Sequence, residues 1–169
     1  MTRAASSIVG APEGENALGE TRRRCGDLEE IERLAASFYA IFDNRGGRAA
    51  DPIAAAGLFA QGASVSRMSD ALAETWSVDQ FLRPRLAMLT DGTLTEFSEW
   101  EVAGTTDILG RIASRTSRYE KAGLLGGASY RGHGSKLIHL VRTGLGWRVQ
   151  HVLWEDATSG PRDLLHTSC

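Results

Sequence analysis

The sequence predicts an α+β fold in which three N-terminal helices pack on a strongly curved, mainly antiparallel mixed sheet, forming a cone. Apolar residues recur at three- and four-residue spacing in the first half of the chain, and they alternate with polar residues in the second half. Helices followed by a meander of strands are typical of α+β domains. The chain has 169 residues, a length that suits one domain with its own core.

The first helix is predicted to begin at Asp27. Its apolar residues share one face and are Leu28, Ile31, Leu34, Phe38, Ile41 and Phe42. The helix should end at "DNRGG", where two glycines follow the last turn. Residues 1–26 are small, polar and charged, and they predict a flexible N-terminal extension. We therefore place the domain at residues 27–157 and a C-terminal tail at residues 158–169.

Two further helices are indicated by their starting residues. Asp51 and Pro52 have the order of an N-cap followed by proline at the first helical position, which predicts a second helix through Phe59. "ASVSRM" (63–68) then has the alternation of a short strand. Ser77 and Gln80 have capping-box spacing and open a third helix. Pro84 is expected to kink that helix.

Four stretches with alternating character predict the remaining sheet: "TLTEFSEWEVAG", "DILGRIASRTSRYE", "SKLIHLVRT" and "WRVQHVLWED". The segment "GLLGGASYRGHGSK" between the second and third stretches is predicted to be a hairpin connection. Simple alternation along the last strand places Trp147, Val149, His151 and Leu153 on one face, with Arg148, Gln150, Val152 and Trp154 on the other. Both faces then carry bulky apolar groups.

Composition argues against several classes of partner. The formal net charge is -2, so we expect no nucleic acid partner, which would require a basic surface. No apolar run approaches the length of a membrane span, and the first thirty residues lack an apolar signal region, so we expect no membrane partner and a cytoplasmic location. Cys25 and Cys169 have no metal-binding spacing. We therefore expect no metal and no cofactor.

Five stretches, in this order, resemble one known superfamily: "IERLAASFYAIFD", "LFAQGASV", "VDQFLRPRLAML", "ILGRIASRTSRYE" and "HLVRTGLGWRVQHVLWED". Their order is similar to that of the nuclear transport factor two-like superfamily, specifically its polyketide-cyclase-like (SnoaL-like) bacterial branch. The resemblance covers roughly residues 28–157 and is most specific in the final hairpin. It implies the cone fold but not one function, because this fold hosts isomerases, dehydratases, cyclases and binding domains.

The catalytic sets of the related enzymes are incomplete in this chain. The resemblance to ketosteroid isomerases implies a tyrosine, a general-base aspartate and a second, protonated aspartate on a later strand. This chain has Phe38 at the tyrosine position and Arg67 near the base position, and "GSKLIHLVR" contains no carboxylate for the second aspartate. The dehydratase-like members pair an aspartate after the first helix with a histidine. Asp43 matches that aspartate, but "DGTLTEFSEW" contains no histidine. The recognised mechanisms are therefore not predicted.

The remaining candidates fall into two groups. Possible catalytic residues are Asp43, Glu96, Tyr119 and His139, and possible ligand-binding residues are Tyr39, Arg67, Trp76, Trp100 and Trp154. Each has a structural alternative: Asp43 as a solvated helix end, His139 as part of a surface pair with His151, and the aromatic residues as core or interface. If the cone is a working pocket, Asp43 should point into it, and there are two alternatives: burial raises the pKa of Asp43, or Arg67 lies close enough to hold it ionised.

Two functions of different classes follow. The first is a small-molecule-binding domain without the recognised isomerase and dehydratase catalytic sets, which takes a small apolar or aromatic ligand in the cone. The alternative is a dehydratase, isomerase or cyclase that acts on a small apolar or polyketide-like substrate by acid–base catalysis. In both cases a homodimer through the sheet is expected, because one helical layer covers only one face.

Overall fold

The computed structural model describes residues 13–69 and 72–157. The helices are α1 (Glu13–Ala40), α2 (Pro52–Gly57) and α3 (Val78–Thr90), with a short 3₁₀ turn at Arg45–Gly47. The strands are β1 (Phe59–Met68), β2 (Ala73–Ser77), β3 (Leu94–Leu109), β4 (Ile112–Leu125), β5 (Ala128–Thr143) and β6 (Gly146–Asp156). They form one sheet in the order β2-β1-β6-β5-β4-β3, in which only the β1–β6 pair is parallel among the described strands. The predicted α+β fold, with helices on a curved mixed sheet, is confirmed.

Helix α1 packs its apolar face against the sheet, where Ile31, Leu34 and Phe38 are buried, and Phe42 is buried just after the helix ends. Leu28, predicted on the same face, is 41% exposed. It begins at Glu13, well before the predicted start at Asp27. Residues 19–26 are exposed and the added turns have no apolar periodicity. Their sequence therefore gave no signal for a helix. A helix that is already nucleated by packing can continue through such residues at little cost. Residues 1–12 and the predicted tail from residue 158 lie outside the described residues.

The predicted caps of α2 and α3 are present. The Asp51 side chain accepts hydrogen bonds from the backbone N–H groups of Ile53 and Ala54 at 3.0 and 2.9 Å. Ser77 and Gln80 form both bonds of a capping box. These bonds fix where each helix enters the layer above the sheet. Helix α2 ends at Gly57, so Phe59 opens β1 rather than closing the helix.

The hairpins of the C-terminal half differ from the prediction. A turn at residues 110–111 divides the stretch "DILGRIASRTSRYE" between β3 and β4. The segment predicted as a hairpin connection is mostly strand, because its turn is only Gly126–Gly127. Both of these glycines have positive φ, 57° and 83°, as a tight two-residue hairpin requires. Strand β2 was not predicted.

Strand β6 contains a bulge at Gln150. His139 of β5 pairs with His151, whereas the next residue, Leu140, pairs with Val149. An extra residue reverses the alternation of side chains along a strand. The buried residues of β6 are therefore Trp147, Val149, Val152 and Trp154, and the predicted division of this strand into two faces is wrong.

No helix among the described residues is long and apolar enough to cross a membrane. The longest of them, α1, is predominantly polar along its first half. The apolar residues that are buried instead form a core between the helices and one face of the sheet.

Candidate functional site

A cavity of about 290 Å³ lies between the helices and the concave face of the sheet. Its apolar lining is Phe38, Phe42, Phe81, Met88, Leu89, Leu94, Phe97, Leu125, Tyr130, Val152 and Trp154. Its charged lining is Arg67, Arg85, Glu99, Lys121, Lys136 and Asp156. We call this space the cone cavity. Its volume is near the lower end of the range of about 300–1,000 Å³ that is typical of small-molecule sites.

Lys136 of β5 is buried in the sheet beneath the cone cavity and forms an ion pair with Glu99 of β3. Its ammonium also lies 3.8 Å from the ring centre of Tyr119 and 4.5 Å from that of Tyr39. Burial lowers the pKa of Lys136, while the Glu99 carboxylate opposes this effect. The cation is therefore held by one carboxylate and by three aromatic rings, of which those of Tyr119 and Tyr39 are closer than that of Phe38.

Asp156 lies at the end of β6 and is shared by three partners. Its Oδ1 accepts hydrogen bonds from the Tyr119 hydroxyl at 2.7 Å and from the Lys121 ammonium at 2.6 Å. Its Oδ2 lies 3.1 Å from Arg67 Nη2. Burial alone would raise the pKa of Asp156, but the hydrogen bonds from Lys121 and Tyr119 outweigh it and lower that pKa. Asp156 is therefore held as a carboxylate.

Asp156→Asn should reduce the acid sensitivity of the fold. The pKa of Asp156 is lower in the folded state, so its ionisation stabilises the fold above the unfolded value of about 3.9. This contribution is lost as the pH falls below about 4 and passes through the folded pKa. Urea unfolding at pH 7 and pH 3 should show a smaller stability difference for Asp156→Asn than for the wild type. Asp107→Asn is the control, because Asp107 is exposed. If both variants reduced the stability difference between pH 7 and pH 3 equally, the assignment of Asp156 as a stabilising carboxylate would be contradicted.

Arg85 of α3 lies over three aromatic rings at the same cavity. Its guanidinium carbon is 4.1 Å from the ring centre of Phe81, 5.4 Å from that of Trp154 and 5.6 Å from that of Trp76. Its Nη1 donates a hydrogen bond to the Phe81 carbonyl at 2.9 Å. Burial lowers the pKa of Arg85, and repulsion by Arg67 adds to this shift. The cation is thus positioned by stacking and by one hydrogen bond.

Five of the residues predicted for the site lie at or beside the cone cavity. Arg67 and Trp154 line it. Tyr119 and Tyr39 lie beneath Lys136, and the Tyr39 hydroxyl is 2.6 Å from the Ser117 hydroxyl. Burial raises the pKa values of both tyrosines, so both remain protonated. Trp76 packs on Trp154 with ring centres 5.7 Å apart.

Asp43 and Glu96 do not line the cone cavity. Asp43 is held by Arg45 and Arg48 at 2.9 and 3.0 Å, beside a shallow cleft between α1 and β3. The hydrogen bond from Arg45 is the main cause of its lowered pKa. Glu96 accepts a hydrogen bond from the Gly46 N–H. Neither arrangement considered for Asp43, a carboxyl with a raised pKa or a pair with Arg67, is present, because Asp43 pairs with Arg45 and Arg48 whereas Arg67 pairs with Asp156.

His139 and Trp100 are also remote from the cone cavity. His139 is exposed on the outer face of the sheet, with its ring centre 6.1 Å from that of His151. Trp100 is 39% exposed and pairs across the sheet with Glu120. The structural alternative, a surface histidine pair, describes His139 better than a catalytic role. Within residues 13–69 and 72–157, no group of three or more His, Cys, Asp or Glu side chains could hold a metal ion.

Sequence reasoning missed five charged residues of the cone cavity: Arg85, Glu99, Lys121, Lys136 and Asp156. One of them had a usable signal. Lys136, Ile138 and Leu140 alternate along β5, which places the lysine on the same face as two core residues. Glu99 and Asp156 could not be assigned to this face because bulges in β3 and β6 change the alternation of side chains. Arg85 lies on α3 and Lys121 on β4, and neither was singled out by the spacing of its neighbours.

Comparisons with known proteins identify the fold. No family profile and no curated sequence matches the chain. Among solved structures, an NTF2-like protein with a cystatin-like fold from Novosphingobium aromaticivorans has a TM-score of 0.66 at 16% identity, covering 85% of this chain and 90% of its own. A protein provisionally assigned as a scytalone dehydratase from the same organism has a TM-score of 0.66 at 16% identity, covering 84% and 93%.

A third solved structure extends the same comparison. It is a provisionally assigned dehydratase of the NTF2-like family from Streptomyces avermitilis, with a TM-score of 0.63 at 14% identity, covering 80% of this chain and 99% of its own. The chain therefore has the nuclear transport factor 2-like (NTF2-like) fold, as its sequence predicted. Identities this low define the fold alone, because unrelated functions share it.

Proposed function

We propose that this protein is a small-molecule-binding domain whose ligand occupies the cone cavity. The observation that carries the proposal is the cavity itself, which has mostly aromatic and aliphatic walls and a small set of charged groups, all but Arg85 fixed by ion pairs. Such a lining is typical of small-molecule sites, in which apolar contacts provide affinity and few polar groups provide orientation. The ligand class is a small apolar or aromatic molecule.

Filling the cone cavity should abolish binding. Met88 of α3 lines it, whereas its neighbour Ala87 is exposed. We expect N-phenyl-1-naphthylamine, a neutral dye that brightens in apolar surroundings, to bind the wild type and Ala87→Trp. Met88→Trp, which places an indole in the cavity, should weaken binding at least tenfold while the fold is retained by circular dichroism. Equal binding by both variants would place the dye elsewhere and contradict the proposal.

An enzymatic function is the second candidate, and the Lys136–Glu99 pair is the observation that favours it. A buried carboxylate and a buried amine whose pKa is lowered lie together at the wall of an apolar cavity. Groups of this kind are suited to proton transfer. This candidate replaces the predicted use of Asp43 and His139, which do not line the cavity.

Proton abstraction can be tested with 5-nitro-1,2-benzisoxazole, whose ring opens to a coloured phenolate when a base removes its carbon-bound proton. If the Glu99 carboxylate acts as a base, the wild type should accelerate this reaction above buffer. The double variant Glu99→Gln/Lys136→Met, which keeps the pair uncharged, should not. Equal rates for the wild type, the double variant and buffer would count against the catalytic candidate and leave ligand binding as the function.

A homodimer through the outer face of the sheet is part of the proposal. Apolar side chains on this face remain exposed, among them Leu137 at 41%, and its partner across the strands, Leu153, is only half-buried. Large exposed apolar patches on proteins often mark an interface with another chain. A second copy is the occupant that we propose, because an identical face would cover these residues symmetrically.

Leu137→Glu should convert the dimer to a monomer in sedimentation equilibrium at micromolar concentration, because it would bury a charge at the interface. Leu145→Glu is the matched control. Leu145 is 81% exposed in the turn between β5 and β6, so its replacement should leave the dimer intact. A wild-type protein that sediments as a monomer would contradict the assembly.

A further inference from the structure

The charges around the cone cavity do not balance. Four cationic side chains line it, Arg67, Arg85, Lys121 and Lys136, against two carboxylates, those of Glu99 and Asp156. Glu99 pairs with Lys136, and Asp156 is shared by Lys121 and Arg67. Both carboxylates of the cavity are therefore already engaged, and the cations remain in excess.

Arg85 is the cation without a carboxylate partner. No carboxylate of the described residues lies within 4 Å of the Arg85 guanidinium. Within those residues, its one hydrogen bond runs from Nη1 to the Phe81 carbonyl. Burial is the main cause of the lowered pKa of Arg85, and repulsion by Arg67 adds to it, while the more distant charges of Glu99 and Asp156 oppose the shift. A half-buried guanidinium in this state has Nε and Nη2 available to donate hydrogen bonds.

Its position is also fixed before any ligand arrives. The rings of Phe81, Trp154 and Trp76 surround the guanidinium, and two of them, Phe81 and Trp154, also line the cone cavity. A stacked arginine keeps a planar fork of donors that matches the geometry of a carboxylate. A ligand anion at Arg85 would therefore meet an ordered donor beside an apolar wall.

We propose that the ligand of the cone cavity is an organic acid, with an apolar or aromatic body and one carboxylate that binds to Arg85. This inference rests on the proposed binding function and narrows it from apolar molecules in general to apolar acids. A ligand carboxylate would relieve the repulsion between Arg85 and Arg67 and neutralise part of the cation excess. A neutral ligand of the same shape would leave both unchanged.

Calorimetric titration with 2-naphthoate and 2-naphthamide at pH 7 tests this, because the two probes share their shape and differ in charge. We expect the wild type to bind the acid at least tenfold more tightly than the amide. Arg85→Met keeps an unbranched apolar stem and removes the charge. This variant should lose the preference for the acid and keep its affinity for the amide. Arg83→Met is the control, since Arg83 lies exposed on the same helix and, within the described part of the chain, pairs with Asp79 alone.

The outcomes separate the inference from the proposed function. If the wild type binds the two probes with equal affinity, or if Arg85→Met still prefers the acid, the assignment of Arg85 is overturned. Binding of the amide would in either case still support the cone cavity as a ligand site. Failure of both probes to bind would overturn the inference and the proposed function together. If Arg85→Met does not fold, the comparison of the two probes on the wild type still decides whether the site prefers an acid.

Discussion

Lys136→Met is expected to destabilise the fold by about 3–5 kcal/mol, because it leaves a buried carboxylate without its partner. The side chains of Lys136 and Glu99 are only 6% and 11% exposed, and the two form an ion pair between β5 and β3. Removing the ammonium also removes the cation from the faces of Tyr119 and Tyr39. Urea denaturation of the wild type and the variant at pH 7 measures the loss.

The double variant Glu99→Gln/Lys136→Met should recover most of this loss, since a neutral pair requires no buried charge. A double-mutant cycle with Glu99→Gln alone then gives the coupling energy of the pair. A loss of less than about 1 kcal/mol in Lys136→Met, the range of exposed ion pairs, would show that water reaches Glu99. In that case the pair could not act as the fixed wall of the cone cavity.

Gly134→Ala is expected to cost about 3 kcal/mol, near the upper part of the range for overpacking a closed interior. A Cβ at Gly134 would collide with the Glu155 carbonyl oxygen and would lie 2.7 Å from the Tyr119 hydroxyl oxygen. A backbone atom cannot move aside without shifting β6. The variant should therefore also weaken the hydrogen bond from Tyr119 to Asp156.

Gly132→Ala is the matched control for this prediction, because Gly132 lies two residues earlier on the same strand. Its added Cβ would meet the Lys121 Cε at 2.7 Å, which is the far end of a flexible side chain. We expect a smaller loss of stability for Gly132→Ala than for Gly134→Ala in the same denaturation experiment. Equal losses would indicate a general need for glycine in β5 rather than the specific contact with Glu155.

Much of the fold could be predicted because its signals are local. The capping residues Asp51 and Ser77 each act on the next few residues of the chain, so their order alone predicted the starts of two helices. The apolar spacing of α1 from Ile31 to Phe38 reflects packing on one face. The polar start of α1 carries no such pattern, which is why the predicted start at Asp27 was wrong.

The site could be predicted only in part because it depends on strand register. Arg67 and Trp154 do line the cone cavity, but the bulge at Gln150 changes the face on which Trp154 and Asp156 lie. A bulge of one residue has no clear signature in the sequence and moves every later side chain to the other face. The pairing of Glu99 with Lys136 joins residues that are distant in the chain, so spacing could not predict it.

The most direct test of the central claim, that the cone cavity holds a small molecule, is a crystal structure of the protein grown with N-phenyl-1-naphthylamine. We expect density for the dye between α3 and the concave face of the sheet, in contact with Phe81, Phe97 and Trp154. These side chains line the cavity from three separate elements. Density for the dye only on the outer face, or side chains that close the cavity and leave no space for it, would contradict the account.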